Sequence, residues 1–175
     1  ILAFSLSTAN VPELKKTASL IKETWEKMGA KVDINIFEPG DLNQSVIRPR
    51  KYDALLFGEI IGRDLDYFAF WHSSQRNDPG LNIANYTNLK VDKILEEARL
   101  IIPRDERILT YQKFSQELVK EVPSIFLYSP EFIYVTRPLV KGVDLQNITI
   151  PSDRFNDIDK WYIETEKVWK FLVKN

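Results

Sequence analysis

The first 37 residues constrain the fold more than any other part of the chain, because they predict a strand, a helix and a second strand in succession. Residues 1–6 are apolar and β-prone, and Pro12 has the fixed backbone dihedral that is favoured in a first helical turn. Apolar side chains then recur at helical spacing as far as Gly29, and residues 31–37 alternate polar and apolar side chains. Two strands joined by a crossover helix form a parallel βαβ unit. We therefore predict an α/β fold.

Further elements are predicted along the rest of the chain from the same periodicities and from turn residues. The stripe formed by Val91, Leu95, Ala98 and Ile102 predicts the first helix of a helical hairpin. After residue 137 the pattern dissolves into turn residues and short apolar pieces, which predicts an irregular tail. In chain order the predicted elements are a short helix after Gly40, a strand at residues 53–57, helices that follow Asn88 and Asp105, strands at 123–128 and 132–135, and a terminal helix at 157–172.

Charge and composition exclude several classes of function. The chain of 175 residues carries 24 lysine and arginine residues against 25 acidic residues, so its net charge of -1 gives no basic surface for nucleic acid. It contains no cysteine, which excludes disulfides, thiolate metal sites and cysteine nucleophiles. No apolar run approaches the roughly 20 residues of a membrane span. Nucleic acid is therefore not an expected partner.

The segment between residues 52 and 86 is the first candidate for a functional site. A short apolar run typical of a buried strand leads into a loop rich in glycine, charged and aromatic residues, and this loop is followed by His72, the only histidine. In α/β proteins ligands bind beyond the carboxyl ends of the strands. We therefore predict that the loop forms the wall of a binding site.

Several residues of this segment admit two interpretations. Trp71 either packs in the core or presents its ring to a cleft. His72 either contacts a ligand or has a capping or surface role, and because no second histidine or cysteine stands at ligand spacing, we predict neither a metal site nor a cofactor. Arg48 and Arg50 could clamp a carboxylate, or they mark an exposed hinge loop.

Three stretches of the chain resemble one family of proteins in their order and spacing. Trp25, Lys27 and Gly29 match a W-x-K-x-G pattern that lies between a helix and a strand. Residues 52–58 resemble the strand before the ligand loop, and residues 86–98 resemble a Y-x-N-x-x-V-D-x-L-L-x-x-A segment that opens a helical hairpin. The family is that of the family 5 extracellular solute-binding proteins of ABC transporters, the oligopeptide and dipeptide type.

The resemblance implies a non-catalytic lobe of the type II periplasmic-binding-protein fold, with a central mixed sheet flanked by helices. Residues 1–140 would form the second, carboxy-terminal ligand-binding lobe, and residues 141–175 would form a crossover tail and terminal helix that pack on a missing amino-terminal lobe. The implied partners are a small solute of peptide type, the ABC permease subunits and that missing lobe. The implied location is extracellular or periplasmic, with a lipid anchor outside this segment.

The resemblance also places the candidate binding residues. Peptide binders of the family carry an aspartate shortly after a glycine equivalent to Gly58, to capture the peptide amino terminus, and Gly62 stands at that aspartate position here. Glu59 stands where tryptophan is usual, and Asp64 or Asp66 could supply a displaced carboxylate. The alternative for these charges is a solvated cluster that pairs internally. The predicted ligand-binding set is Glu59, Ile61, Gly62, Arg63, Asp64, Trp71 and His72.

Two other classes of function compete with this prediction. A hydrolase would use Asp64, Asp66 and His72, and it requires these side chains to converge within hydrogen-bonding reach. A stand-alone interaction module would dock a partner protein on Trp161, Trp169 and the terminal helix.

Overall fold

The computed structural model describes residues 1–62, 65–145 and 148–164. Contacts divide the chain into two compact units. The first unit comprises Ile1–Glu59 and Asp66–Ile125, and the second comprises Ile60–Leu65 and Phe126–Asn175.

The first unit opens with the predicted βαβ arrangement. Strands β1 (Ala3–Ala9) and β2 (Lys31–Phe37) pair in parallel, and helix α1 (Pro12–Lys27) connects them. Strand β3 (Ala54–Leu56) pairs in parallel with the other edge of β1, so the strand order is β2-β1-β3. The α/β fold class is confirmed. The strands of this sheet are all parallel, and antiparallel pairing occurs in a separate two-stranded sheet of the second unit.

The core of the sheet forms where the apolar face of α1 meets the strands. Burying one side chain of leucine size contributes about 1.5–3 kcal/mol. The helix ends because Gly29 adopts a φ of +91°, in the left-handed region that glycine enters without steric cost. The buried side chains of this cluster are Leu6, Ala18, Val32 and Leu56.

Helix α2 (Pro39–Asp41) continues into a π-helical stretch (Leu42–Ile47), where a short helix is predicted. Its apolar side chains are buried against Ala9 in a second part of the core. The turn that follows is tied to the protein itself, because Arg50 donates hydrogen bonds to the carbonyls of Ile47, Arg76 and Gly80 at 2.6, 3.1 and 2.7 Å. These contacts favour a structural role for Arg50 over a ligand clamp.

The predicted helical hairpin is confirmed as α4 (Leu89–Leu100) and α5 (Arg104–Glu121), preceded by the short α3 (Phe68–Trp71). Asn88 caps α4, since its side-chain oxygen accepts from the main-chain N–H groups of Lys90 and Val91. The side chains buried in the hairpin are Val91, Ile94, Leu95, Ala98, Tyr111, Phe114 and Leu118.

The inclusion of Ile102 in the first helix of the hairpin is wrong. The helix ends at Leu100, and Ile102 is 91% exposed. The cause is Pro103, because a proline pushes the residue before it out of the helical region. No helix among the described residues is long and apolar enough to cross a membrane.

The second unit differs most from the sequence prediction. Residues 123–128 and 132–135 form no strand, because a β-prone run becomes a strand only where a partner supplies its hydrogen bonds. Two-residue strands β4 (Val140–Lys141) and β5 (Tyr162–Ile163) pair instead, and 3₁₀ turns occupy Pro151–Phe155 and Ile158–Lys160. The predicted terminal helix is therefore wrong for its first part, and residues 165–175 lie outside the described residues. The assignment of residues 1–140 to a lobe and 141–175 to a tail stays a prediction.

Candidate functional site

The candidate loop follows β3, and the protein fixes the strand end from which it starts. Leu56 is buried, and its carbonyl accepts a hydrogen bond from the hydroxyl of Thr8 at 3.0 Å. Thr8 is fully buried, so this contact satisfies a hydroxyl that would otherwise destabilise the core. The chain therefore leaves the sheet from a defined point.

Glu59 is the charged candidate that solvent can reach. The residue is exposed, yet desolvation by the surrounding protein raises the pKa of its carboxyl to about 7. Protein atoms displace part of the water around the carboxyl, while its exposed surface leaves it open to a ligand. A carboxyl in these surroundings stabilises its charge by meeting a cation.

Ile61 is half-buried and Gly62 is exposed. A Cβ atom built on Gly62 would meet nothing within 4 Å, so no steric demand selects glycine there. The Gly62 carbonyl accepts from the N–H of Leu65 at 3.0 Å, and Leu65 has a φ of 53°. Arg63 and Asp64 lie outside the described residues.

Asp66 is engaged by Arg99 of α4. The guanidinium contacts the carboxylate through Nη2 to Oδ2 at 2.6 Å and through Nε to Oδ1 and Oδ2 at 3.2 and 3.1 Å. Asp66 Oδ1 also accepts from the N–H of Phe68 at 3.1 Å. The hydrogen bond from Arg99 is the largest cause that holds the pKa of Asp66 below its ordinary value. Asp66 is thus a paired carboxylate, as the alternative to ligand contact supposes.

The ring of Phe68 lies between Arg99 and His72. The guanidinium carbon of Arg99 is 3.8 Å from the ring centroid, and the imidazole of His72 stacks on the ring at 4.0 Å with an interplanar angle of 19°. A guanidinium over an aromatic face is attracted by the ring quadrupole. Helix α3 is therefore held to α4 by a three-layer stack of side chains.

His72 is buried and acts as a cap. The main-chain N–H of Ser74 donates to its Nδ1 at 3.1 Å, so the proton of the neutral ring belongs on Nε2. Nε2 faces Glu96 Oε1 at 3.3 Å and Asp92 Oδ1 at 3.9 Å. Asp92 accepts in turn from the N–H and hydroxyl of Ser73 at 2.8 and 2.5 Å. No group of acidic and imidazole side chains among the described residues could hold a metal ion.

Trp71 is also buried, with 5% of its surface exposed. Its ring meets Tyr86 edge-on at 6.2 Å and Phe114 at 6.3 Å between centroids. This environment favours the core interpretation of Trp71. The structure thus brings Trp71 and His72 together inside the first unit as packing and capping residues, and their contact with a ligand stays a prediction.

Sequence reasoning missed the polar face of α4. Asp92, Glu96 and Arg99 recur at helical spacing and all contact the segment of residues 66–74. Their only signal in the sequence is that spacing, which is equally typical of a solvated face. Asn82 was also missed: it is fully buried, and it binds the carbonyl of His72 and both the carbonyl and the N–H of Tyr86.

No protein-family model matches the chain. The curated oligopeptide-binding protein AppA of Bacillus subtilis (strain 168) is 26% identical over 163 residues, which are 92% of this chain and 29% of AppA. The solved structure of Bacillus subtilis AppA in complex with a nonapeptide has a TM-score of 0.72 at 24% identity, and covers 94% of this chain and 32% of that chain.

Two further solved structures share the fold. NikZ from Campylobacter jejuni in complex with Ni(L-His) has a TM-score of 0.66 at 23% identity, covering 92% of this chain and 33% of that chain. The ABC transporter-associated periplasmic binding protein DppA from Helicobacter pylori in complex with the peptide STSA has a TM-score of 0.58 at 20% identity, covering 70% of this chain and 24% of that chain.

The chain therefore has the fold of a lobe of the type II periplasmic-binding-protein class. The predicted resemblance to the family 5 extracellular solute-binding proteins is confirmed by the same comparisons. The chain spans 29% of the length of the curated relative that it matches.

Proposed function

We propose that the chain is the second ligand-binding lobe of the substrate-binding component of an ABC importer. Two lobes would close over a peptide or peptide-like solute by a hinge motion, and the loaded protein would deliver the solute to the permease subunits. The observation that carries this proposal is the sequence match along 92% of the chain to an oligopeptide-binding protein. The amino-terminal lobe, the permease, an extracellular or periplasmic location and a lipid anchor outside this segment belong to the same proposal.

Glu59 is the residue that we propose to meet the amino group of the solute. An exposed carboxyl with a pKa of about 7 is partly protonated at neutral pH, and an approaching ammonium group favours its charged form. Arg63 and Asp64, next to Gly62 in the sequence, would supply the remaining charges of the loop. Trp71 and His72, which are buried, would support the loop through packing.

This role predicts a pH dependence with a defined sign. If the pKa of Glu59 falls from about 7 when a peptide binds, binding releases a proton, and affinity rises with pH up to about 7 and then levels off. We expect this slope in the full-length protein, measured by titration calorimetry with synthetic peptides of two to nine residues. Glu59→Gln should flatten it, and an unchanged slope in that variant would assign the proton to another group.

The second unit is proposed to pack on the first lobe of the full-length protein. Its described segment carries large apolar side chains that are exposed, among them Phe126, Ile133 and Val135. Apolar surface of this extent is typical of an interface.

The proposed function is tested by native mass spectrometry of the full-length protein purified from its source. We expect a mass larger than the 20.4 kDa of this chain and a co-purifying peptide. A protein that carries no small molecule and binds none of the synthetic peptides would contradict the proposal.

Neither competing class of function is proposed. The named relatives are binding proteins, and two of the three residues that a hydrolase would use are already engaged, Asp66 by Arg99 and His72 by Ser74. Of the surface that an interaction module would use, Trp161 lies among the described residues, whereas Trp169 lies outside them.

A further inference from the structure

We propose that Arg99 and Asp66 are positioning residues for the ligand loop: their pair fixes the point at which the loop returns to the first unit, and thereby sets where Glu59 presents its carboxyl to a solute. The inference rests on the proposed function, because it assigns a role within the same binding site. Arg99 and Asp66 are called the latch below.

The connection along the chain is the first step of the argument. The loop starts at β3, whose end is held through the carbonyl of Leu56. It rejoins the first unit at Asp66, the residue that forms the ion pair with Arg99. A loop held at two fixed ends samples fewer conformations than a loop held at one end, so less entropy is lost when it binds.

The geometry of the latch is the second step. Arg99 approaches Asp66 through both Nε and Nη2, and its guanidinium lies over Phe68. A planar fork that pairs with a carboxylate and stacks on a ring defines an orientation, which a single ammonium contact does not do. Phe68 is itself stacked on the buried His72, so the guanidinium of Arg99 is held in a fixed orientation relative to the core of the first unit.

The third step separates positioning from stability. The side chains of Arg99 and Asp66 are 45% and 42% exposed, and exposed ion pairs contribute little to folding. The ion pair of Arg99 and Asp66 therefore contributes little to the free energy of folding. Because it is bidentate and stacked on an aromatic ring, it can still fix the local geometry of the chain. The lowered pKa of Asp66 agrees with a carboxylate that stays charged over the physiological range.

The test compares two pairs on the same helix. In the full-length protein, Arg99→Gln and Asp66→Asn should each weaken binding of the tightest synthetic peptide about ten-fold, with an unchanged melting temperature. The double variant should be no weaker than either single variant. Arg99→Lys, which keeps the charge and loses the fork, should give an intermediate affinity. The control is Lys90→Gln, which breaks the exposed contact of Lys90 Nζ with Glu117 at 2.8 Å and should leave affinity unchanged.

A second measurement needs no ligand. Amide hydrogen exchange of a peptide that covers residues 57–62 should be faster in Arg99→Gln than in the unsubstituted protein, and unchanged in Lys90→Gln. If the unsubstituted protein binds no peptide, the proposed function is wrong. The exchange measurement still tests whether the latch orders the loop. Equal exchange in all variants, or a loss of affinity that a fall in melting temperature fully accounts for, would overturn the inference.

Discussion

The two units of the chain differ in how they use their apolar side chains. Among the described residues, every buried apolar side chain lies in the first unit, between Leu6 and Leu118. The second unit is also rich in apolar residues, but its described ones are half-buried or exposed, with Ile133 at 81% and Val135 at 85%. In the part of the chain that the structure describes, three buried side-chain atoms have no hydrogen-bond partner, and two of them, Arg154 Nε and Trp161 Nε1, lie in the second unit.

The difference shows that the burial of apolar side chains depends more on their periodicity along the chain than on their number. In α4 the apolar residues fall on one face, so a single neighbouring helix can bury them together. In residues 126–135 of the second unit, Ser129, Pro130 and Glu131 interrupt them along an irregular backbone. Such a segment buries its side chains only against a surface that another part of a protein provides.

The largest effect is expected for a core residue of the first unit. Leu95 is 1% exposed in the hairpin, and Leu95→Ala should lower the free energy of unfolding by about 2–5 kcal/mol, because it removes buried area and leaves a cavity. Denaturant unfolding of the chain measures this change. Leu100→Ala is the control on the same helix, since Leu100 is 82% exposed and its loss should cost less than about 0.5 kcal/mol. Similar losses at both positions would contradict the burial described here.

A second prediction compares one glycine from each unit. A Cβ atom on Gly80 would lie 2.2 Å from the carbonyl oxygen of Gln75, and a Cβ atom on Gly142 would lie 2.2 Å from that of Lys160. Gly80→Ala should destabilise the main unfolding transition by about 1–3 kcal/mol, because main chain must move to admit the methyl group. Gly142→Ala should leave that transition in place and increase hydrogen exchange only near β4 and β5.

The control for both is Gly40→Ala, where a Cβ atom would meet nothing within 4 Å. Its effect on the main transition should be small. If Gly142→Ala strongly destabilised the main unfolding transition, the two units would unfold together. The proposed difference in stability between the units would then be wrong.

The parts of the fold that follow from local pattern were predicted from the sequence. Strand β2 has the predicted bounds, and α1 begins at Pro12 as expected, because alternation and helical spacing act within a few residues. The strands predicted at residues 123–128 and 132–135 do not form, since strand formation depends on a distant partner that no local pattern reveals.

The candidate site was less predictable for the same reason. The sequence pointed to the loop after β3, but the partner of Asp66 is Arg99, which stands 33 residues further along the chain near the end of α4. Trp71 has a pattern compatible with core or cleft, and only the positions of Tyr86 and Phe114 favour the core. Pairing between distant residues is a property of the folded chain.

A smaller effect is expected at Tyr86, the one buried unpartnered hydroxyl of the first unit among the described residues. Burial first, and then the nearby Glu121 carboxylate, raise its pKa to about 12. The Tyr86 hydroxyl forms no hydrogen bond of normal geometry with this carboxylate. Tyr86→Phe should then change the stability at pH 7 by less than about 1 kcal/mol.

The pH dependence of Tyr86 has a definite sign. Because the folded chain holds this proton up to about pH 12 while the unfolded chain releases it near the ordinary value of 10.0, stability falls as pH rises between these values. Tyr86→Phe should remove that part of the alkaline loss, as measured by urea unfolding at several pH values. A destabilised variant at pH 7 would instead indicate that the hydroxyl has a partner.

The smallest effect on the stability of the 175-residue chain is expected at Ile133 of the second unit. Ile133→Ala in the 175-residue chain should change the free energy of unfolding by less than about 0.5 kcal/mol, because the side chain is 81% exposed and buries little area. In the full-length protein the same substitution should cost about 2–5 kcal/mol if this surface packs on the first lobe. Equal, small effects in both proteins would contradict that packing. A large loss in the chain alone would show that the second unit buries its apolar residues as the first unit does.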